Sequence, residues 1–186
     1  LFDVADTLLH KPALWETIKA TLANAGVTVE ITVIARAHRA TRELLTVPDR
    51  TGRDFYLTFN ARFLEVLGVL PTNELVEQIY LNCRSLPWAP FADTAVLKDL
   101  GLPIGIVSNW NSTLREQLER HFPKLTFSPI VVSEEHGTAK PDQQIYMAAV
   151  HQTGLCPNEI LFIGDSIRLD MVPAIQAGLT ALLIDR

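Results

Sequence analysis

The chain has 186 residues, of which 48% are hydrophobic and 20% are charged, and its formal net charge is -5. This length and composition are typical of a globular protein with its own buried core. An acidic chain without a basic run does not suit nucleic acid binding, and no apolar stretch approaches the roughly 20 residues that span a bilayer. The two cysteines, Cys83 and Cys156, have no CxxC spacing and are compatible with a reducing compartment, and we expect a cytoplasmic location.

The first predicted element is a short strand, LFDV, at the start of the chain. The sequence begins inside this apolar segment without Met and ends in the strand-like ALLIDR, so we expect natural residues beyond both ends. Four amphipathic helical patterns follow between about residues 12 and 86, and this block has almost no strand signal. Its turns are marked by Pro48, Gly52, Gly68 and Pro71.

After residue 87, short apolar runs alternate with amphipathic helical stretches. The apolar runs are LPIGIVS, SPIVVSE, EILFIGD and TALLID. This alternation predicts an α/β fold with a doubly wound, Rossmann-like parallel sheet that also includes LFDV. We therefore predict an α/β core domain of residues 1–11 and 87–186, interrupted by an all-helical domain of residues 12–86.

Polar residues stand at or after the ends of the predicted strands. They are Asp3, Ser108, Lys140 and Asp165. Ligands of open parallel sheets bind at the carboxyl ends of the strands, so we expect these four side chains to share one edge of the sheet. Two carboxylates suit a hard cation such as Mg²⁺, Lys140 adds positive charge, and Ser108 can bond anionic oxygens. The set predicts a phosphoryl site in which a carboxylate can act as nucleophile.

Four segments occur in the order FDVADTLL, IVSNWNS, SEEHGTAKPDQQIY and FIGDSIRLDMVPAIQAG. In order and spacing they resemble the four motifs of the haloacid dehalogenase-like (HAD) superfamily. The resemblance covers the whole α/β portion, and the helical block is similar in position and character to the superfamily's C1 cap domain. It implies a hydrolase with a Rossmann-like core and a helical cap.

The resemblance also implies a role for each matched residue. Asp3 is expected to be the nucleophile, while Lys140 orients it and neutralises charge. The implied substrate contacts are Ser108, Asn109 and Lys140. The implied Mg²⁺ ligands are the carboxylates of Asp3 and Asp165 and the backbone carbonyl of Ala5, with Asp170 and Ser166 as supporting residues.

Ala5 stands where typical HAD phosphatases have a second Asp, which protonates the leaving oxygen and then activates water. General acid–base catalysis is typically worth about 10²–10⁴-fold, so we expect slow turnover or a restriction to good leaving groups. Asp6 comes one position late, and a turn residue is its favoured interpretation. The predicted function is a Mg²⁺-dependent phosphatase that acts on a small phosphorylated metabolite through an aspartyl-phosphate on Asp3.

Three branches of the superfamily lack that second Asp. Phosphonoacetaldehyde hydrolases need a cap Lys, for which the helical block offers only Lys19. The 2-haloacid dehalogenases attack a halogenated substrate without metal and use a cap Arg; Arg36, Arg39 and Arg42 are candidates, but the intact GDSxxxD segment disfavours this branch. FDVADTLL looks closest to a third branch, named for a rhythmically expressed fly gene. A catalytically reduced regulatory protein that keeps the Mg²⁺/phosphate site is the alternative outside the enzymes.

Overall fold

The computed structural model describes residues 1–45 and 52–186, so the predicted turn at Pro48 lies outside the described residues. Within the described chain there are two compact units. One unit contains Leu1–His10 and Ala89–Arg186, and the other contains described residues 11–45 and 52–88. We call them the α/β unit and the helical unit. None of the described helices is long and apolar enough to cross a membrane.

The strands of the α/β unit form a parallel sheet and a separate antiparallel pair. The antiparallel pair joins two residues on each side of the helical insertion, with His10 opposite Ala89. In chain order the strands are β1 (Leu9–His10), β2 (Ala89–Pro90), β3 (Ile104–Ser108), β4 (Phe127–Val132), β5 (Leu161–Gly164) and β6 (Thr180–Leu183).

The parallel sheet is centred on the first residues of the chain. Phe2 bridges Ile106 of β3 on one side and Ile163 of β5 on the other, both in parallel. β4 pairs with β3, and β6 pairs with β5, again in parallel. The order across the sheet is therefore β4, β3, the Phe2 segment, β5 and β6. The predicted parallel sheet is confirmed. The polar residues that follow its central strands lie at its carboxyl edge.

The helices of both units agree with the amphipathic patterns of the sequence. Helix α7 covers the parallel sheet, and its buried residues Tyr146 and Ala149 share one apolar core with Val107 and Phe162. In chain order the helices are α1 (Leu14–Asn24), α2 (Ile31–Leu44), α3 (Arg53–Leu67), α4 (Asn73–Cys83), α5 (Leu114–His121), α6 (Ser133–His136), α7 (Gln143–Thr153) and α8 (Val172–Gln176).

A histidine ring lies in the core of the helical unit. His38 of α2 packs edge-on against Phe59 and Trp15, with ring centroids 4.8 and 5.1 Å away. Burial, with a smaller contribution from Arg42, lowers the pKa of His38 to about 3. The ring is therefore neutral near neutral pH and packs as a core residue.

One predicted helical stretch has a different form. The segment DTAVLKDLG forms a 3₁₀ helix over Ala92–Asp99 instead of an α-helix. The Thr94 hydroxyl donates a hydrogen bond to the Phe91 carbonyl at 2.7 Å, and the Thr94 N–H reaches the same oxygen at 3.1 Å. These local bonds close a tight first turn and compete with α-helical pairing.

Candidate active site

Asp3 lies at the carboxyl edge of the sheet, next to the end of β3. Its N–H donates to the Ile163 carbonyl at 2.9 Å, which anchors its backbone to β5. The hydroxyl of Ser108, the last residue of β3, donates to Asp3 Oδ1 at 3.3 Å. Asp3 is only 4% exposed. The sheet thus holds a buried carboxylate with a hydroxyl beside it.

Lys140 supplies the positive charge at this edge. Its Nζ donates to Asp3 Oδ1 and to Asp170 Oδ1, both at 2.6 Å. The side chain is 3% exposed. Burial alone would lower the pKa of Lys140, but the carboxylates of Asp170 and Asp3 outweigh it and raise the pKa above its usual value. Lys140 is therefore a permanent cation shared by two carboxylates.

Asn109 fixes the backbone of Lys140. Its Nδ2 donates to the Lys140 carbonyl at 2.9 Å, and the Lys140 N–H donates to its Oδ1 at 2.7 Å. Both polar groups of the amide are therefore engaged with the main chain, in the manner of a strand pair. These bonds fix the backbone of Lys140 next to the end of β3, and substrate contact by Asn109 stays a prediction.

Asp165 and Asp170 belong to the loop that follows β5. A π-helical turn spans Ile167–Met171, and Ser166 caps it by accepting the Leu169 N–H on its Oγ at 2.9 Å. The Ser166 N–H donates to Asp170 Oδ2 at 3.0 Å. Burial, partly offset by Lys140, raises the pKa of Asp170 to about 6. Both oxygens of Asp170 are thus held by protein donors, which is consistent with a supporting role.

Three carboxylates come together at the site. Carboxylate oxygens of Asp3, Asp165 and Asp170 lie within 4.8 Å of one another, and Lys140 is the cation that bonds two of them. Carboxylate oxygens are hard donors, which suit Mg²⁺. The donor set therefore fits a divalent cation.

The turn after Asp3 presents backbone oxygens. The Val4 carbonyl accepts hydrogen bonds from the N–H groups of Thr7, Leu8 and Leu9, whereas the Ala5 carbonyl accepts no backbone hydrogen bond from the described residues. A further ligand is thus available on the main chain at position 5. Asp6 has a φ of 60°, a left-handed conformation that Asp tolerates in turns. This conformation is that of a turn residue.

Sequence reasoning did not identify Tyr146. The hydroxyl of this buried residue donates to the Leu169 carbonyl in the π-helical turn, and its ring packs against Phe162 at 5.3 Å. Burial raises the pKa of Tyr146, so the hydroxyl keeps its proton. Tyr146 therefore supports the turn that carries Asp170. A Tyr on the apolar face of a helix needs a hydrogen-bond partner for its hydroxyl, so its position in the sequence could have indicated a buried polar contact.

The residues considered for other branches lie in the helical unit. Arg36 and Arg39 of α2 are exposed, and Lys19 of α1 is partly exposed. The unit also includes Lys11, whose Nζ donates to the Cys83 carbonyl at 3.0 Å. Lys11 thus caps the end of α4.

Comparison with known proteins shows what this chain is similar to. The family model of haloacid dehalogenase-like hydrolases matches residues 94–184. The chain is 27% identical to a glyceraldehyde 3-phosphate phosphatase of Methanopyrus kandleri, over 100% of this chain and 83% of the relative. It is 29% identical to haloacid dehalogenase-like hydrolase domain-containing protein 3 of Danio rerio, over 100% of this chain and 84% of that protein.

Solved structures show the same fold. The HAD-hydrolase YfnB of Bacillus subtilis, bound to magnesium, aligns with a TM-score of 0.65 and 19% identity, over 98% of this chain and 86% of that one. An L-2-haloacid dehalogenase aligns with a TM-score of 0.66 and 18% identity, over 100% and 85%. By the matched family model and the relatives, the chain is similar to the haloacid dehalogenase-like hydrolases, and the solved structures share its fold.

Proposed function

We propose that the protein is a Mg²⁺-dependent phosphatase that hydrolyses a small phosphorylated metabolite through an aspartyl-phosphate on Asp3. The observation that carries this proposal is the Lys140 ammonium between Asp3 and Asp170, inside a cluster of three carboxylates. A relative named as a glyceraldehyde 3-phosphate phosphatase supports a phosphate monoester as the substrate class.

The first step is attack of Asp3 on phosphorus. Lys140 and Ser108 both bond Oδ1 of Asp3, so we assign the attack to Oδ2. A bond forms between that oxygen and phosphorus, and the bond from phosphorus to the leaving oxygen breaks with its electron pair. Because position 5 is Ala, the leaving oxygen takes its proton from solvent.

The second step is hydrolysis of the acyl phosphate. Water attacks phosphorus and loses a proton to solvent, the bond between phosphorus and Asp3 Oδ2 breaks with its electron pair on that oxygen, and phosphate and the Asp3 carboxylate are released. Lys140 and Ser108 are the donors that face the charged oxygens in both steps. Mg²⁺ would be held by the carboxylates of Asp3 and Asp165 and the Ala5 carbonyl, and when bound it supplies charge neutralisation for the phosphoryl group.

The helical unit is proposed to act as a C1-type cap that selects the substrate. The proposed core is residues 1–11 and 87–186, and the proposed cap is residues 12–86. The boundaries of the two compact units, at residues 10/11 and 88/89, support this division. An inserted domain between a nucleophile-bearing strand and the rest of the core suits substrate selection by closure.

A 2-haloacid dehalogenase is the second candidate, because Ala5 and the Asp3–Lys140 pair also suit attack on carbon. The cluster of Asp3, Asp165 and Asp170 argues against it, because three neighbouring carboxylates suit a divalent cation, which metal-free attack on carbon does not use. A regulatory protein that only binds Mg²⁺ and phosphate is favoured by Ala5 and opposed by the retained Asp3 and Lys140.

Phosphate release tests the proposal. Acetyl phosphate and p-nitrophenyl phosphate are incubated with Mg²⁺ or with EDTA, using wild type, Asp3→Asn and the matched control Asp99→Asn at an exposed position. We expect Mg²⁺-dependent release that falls to background in Asp3→Asn and is unchanged in Asp99→Asn. No release from pure, folded wild type would reject the phosphatase, and halide release from 2-chloropropionate would then support the dehalogenase.

A further inference from the structure

The side chain of Arg186, which follows β6, is held on three sides within the α/β unit. Its Nη2 donates to the Thr7 carbonyl at 2.7 Å, and its Nη1 pairs with Asp93 Oδ2 at 2.6 Å. The guanidinium carbon lies 4.1 Å from the ring centroid of Phe91. The side chain is 17% exposed. A planar group with two donors in different directions and a stacking face suits this arrangement, whereas the single ammonium of Lys does not.

The first contact reaches the turn that follows Asp3. Thr7 belongs to the tight turn in which the Val4 carbonyl accepts three successive N–H groups. Ala5, whose carbonyl is a proposed Mg²⁺ ligand, lies inside this turn. A charged hydrogen bond to the Thr7 carbonyl therefore ties the turn to the far edge strand of the sheet.

The second contact reaches the place where the chain leaves and re-enters the α/β unit. The guanidinium lies over the Phe91 ring, and this ring also stacks on the His10 ring. The two ring centroids are 4.2 Å apart, and the angle between the ring planes is 12°. The Phe91 N–H donates to the Leu8 carbonyl at 3.0 Å. Arg186, Phe91 and His10 are thus stacked in series beside the β1–β2 pair.

We propose that Arg186 is a positioning residue, which holds the turn of residues 4–9 and the β1–β2 pair in the geometry that the site requires. The inference rests on the proposed function for its catalytic consequence, although its structural part does not. Arg186 acts through the Thr7 carbonyl and the Phe91 ring, and it is no part of the reaction itself. Without Arg186, the position of the Ala5 carbonyl relative to the Asp3 carboxylate is no longer fixed.

The test compares Arg186→Met, which keeps the length of the stem but removes the donors, with Arg186→Lys and with Asp93→Asn. Asp93→Asn weakens the ion pair but leaves the bond to Thr7. In metal-free protein we expect Arg186→Met to move the amide NMR signals of residues 5–7, and Asp93→Asn to leave them in place. Burial and the charge of Arg186 both lower the pKa of His10, so Arg186→Met should also raise the pKa of that ring.

In the active enzyme we expect kcat of Arg186→Met to fall about 10- to 100-fold, because small displacements of reacting groups are costly. The Mg²⁺ concentration for half-maximal rate should rise, KM should change little, and Arg186→Lys should recover part of the rate. If Arg186→Met does not fold, Arg186→Lys is measured in the same way.

The outcomes separate this inference from the proposed function. Wild type without phosphatase activity rejects the proposed function, and the NMR signals of residues 5–7 still decide the role of Arg186. A folded Arg186→Met protein with unchanged signals of these residues overturns the inference. So does an active Arg186→Met enzyme with wild-type kcat and Mg²⁺ dependence.

Discussion

Ala5 leaves Asp3 with no carboxylic acid two residues further along the chain. In the proposed reaction Asp3 is the nucleophile, and Lys140 and Ser108, which both bond its Oδ1, stabilise charge. The missing group would act on the leaving oxygen and then on water. The proposed reaction has two parts, bond formation at phosphorus and proton transfer. On this proposal the chain has the residues for bond formation and lacks the acid for proton transfer.

Restoring the acid should restore proton transfer. We expect Ala5→Asp to raise kcat about 10-fold or more for an alkyl phosphate, since general acid–base catalysis is typically worth about 10²–10⁴-fold. The gain should be smaller for p-nitrophenyl phosphate, whose leaving group needs no proton. Steady-state kinetics with both substrates measure the difference.

Ala5→Asn is the matched control, because the Asn side chain has the same shape as Asp but cannot donate or accept a proton as an acid or base. Equal gains for Asp and Asn would assign the effect to polarity instead of proton transfer. Equal gains for both substrates would contradict a role in protonating the leaving group.

At the scale of elements, the β5 strand and the π-helical turn fit together at Gly164. A Cβ on Gly164 would overlap the side chain of Asp170, including its carboxylate. The absence of that carbon lets Asp170 reach both Lys140 Nζ and the Ser166 N–H. The end of the strand is therefore shaped to hold one carboxylate, and that carboxylate in turn orients Lys140.

Filling this space should disturb the site. We expect Gly164→Ala to lower the free energy of unfolding by about 1–3 kcal/mol, as overpacking does in a closed core, and to reduce phosphatase activity. Gly52→Ala is the control, because the same added carbon meets no atom within 4 Å there. Urea unfolding and phosphate release measure both variants. A Gly164→Ala protein as stable and active as Gly52→Ala would show that Asp170 can move without loss.

The sheet was predictable because each strand is an apolar run that stops at a polar residue, and parallel strands end at the same edge. The β1–β2 pair was not, since two residues on each strand carry no periodicity. The bonds of Asn109 to the Lys140 backbone join positions 31 residues apart through loop geometry. Such contacts depend on tertiary structure, which local patterns do not encode.

At the scale of the whole molecule, the described residues of the candidate site all belong to the α/β unit. Asp3 comes from the segment before the insertion, and Lys140 and Asp170 come from the segment after it. The two segments are joined by parallel pairing of Phe2 with β3 and β5. The site therefore depends on the pairing of these two chain segments in the sheet. None of the three side chains comes from the helical unit.

This division predicts that the α/β unit folds by itself. His10 and Ala89 are opposite each other in the antiparallel β1–β2 pair, so a two-residue Asn-Gly turn can replace residues 11–88. We expect the shortened chain to unfold cooperatively, bind Mg²⁺ and hydrolyse acetyl phosphate, with Asp3→Asn in the same chain as the inactive control. A shortened chain with dispersed NMR signals but no Mg²⁺ binding would mean that the helical unit supplies part of the site. If the shortened chain does not unfold cooperatively, the sheet needs the helical insertion in order to fold.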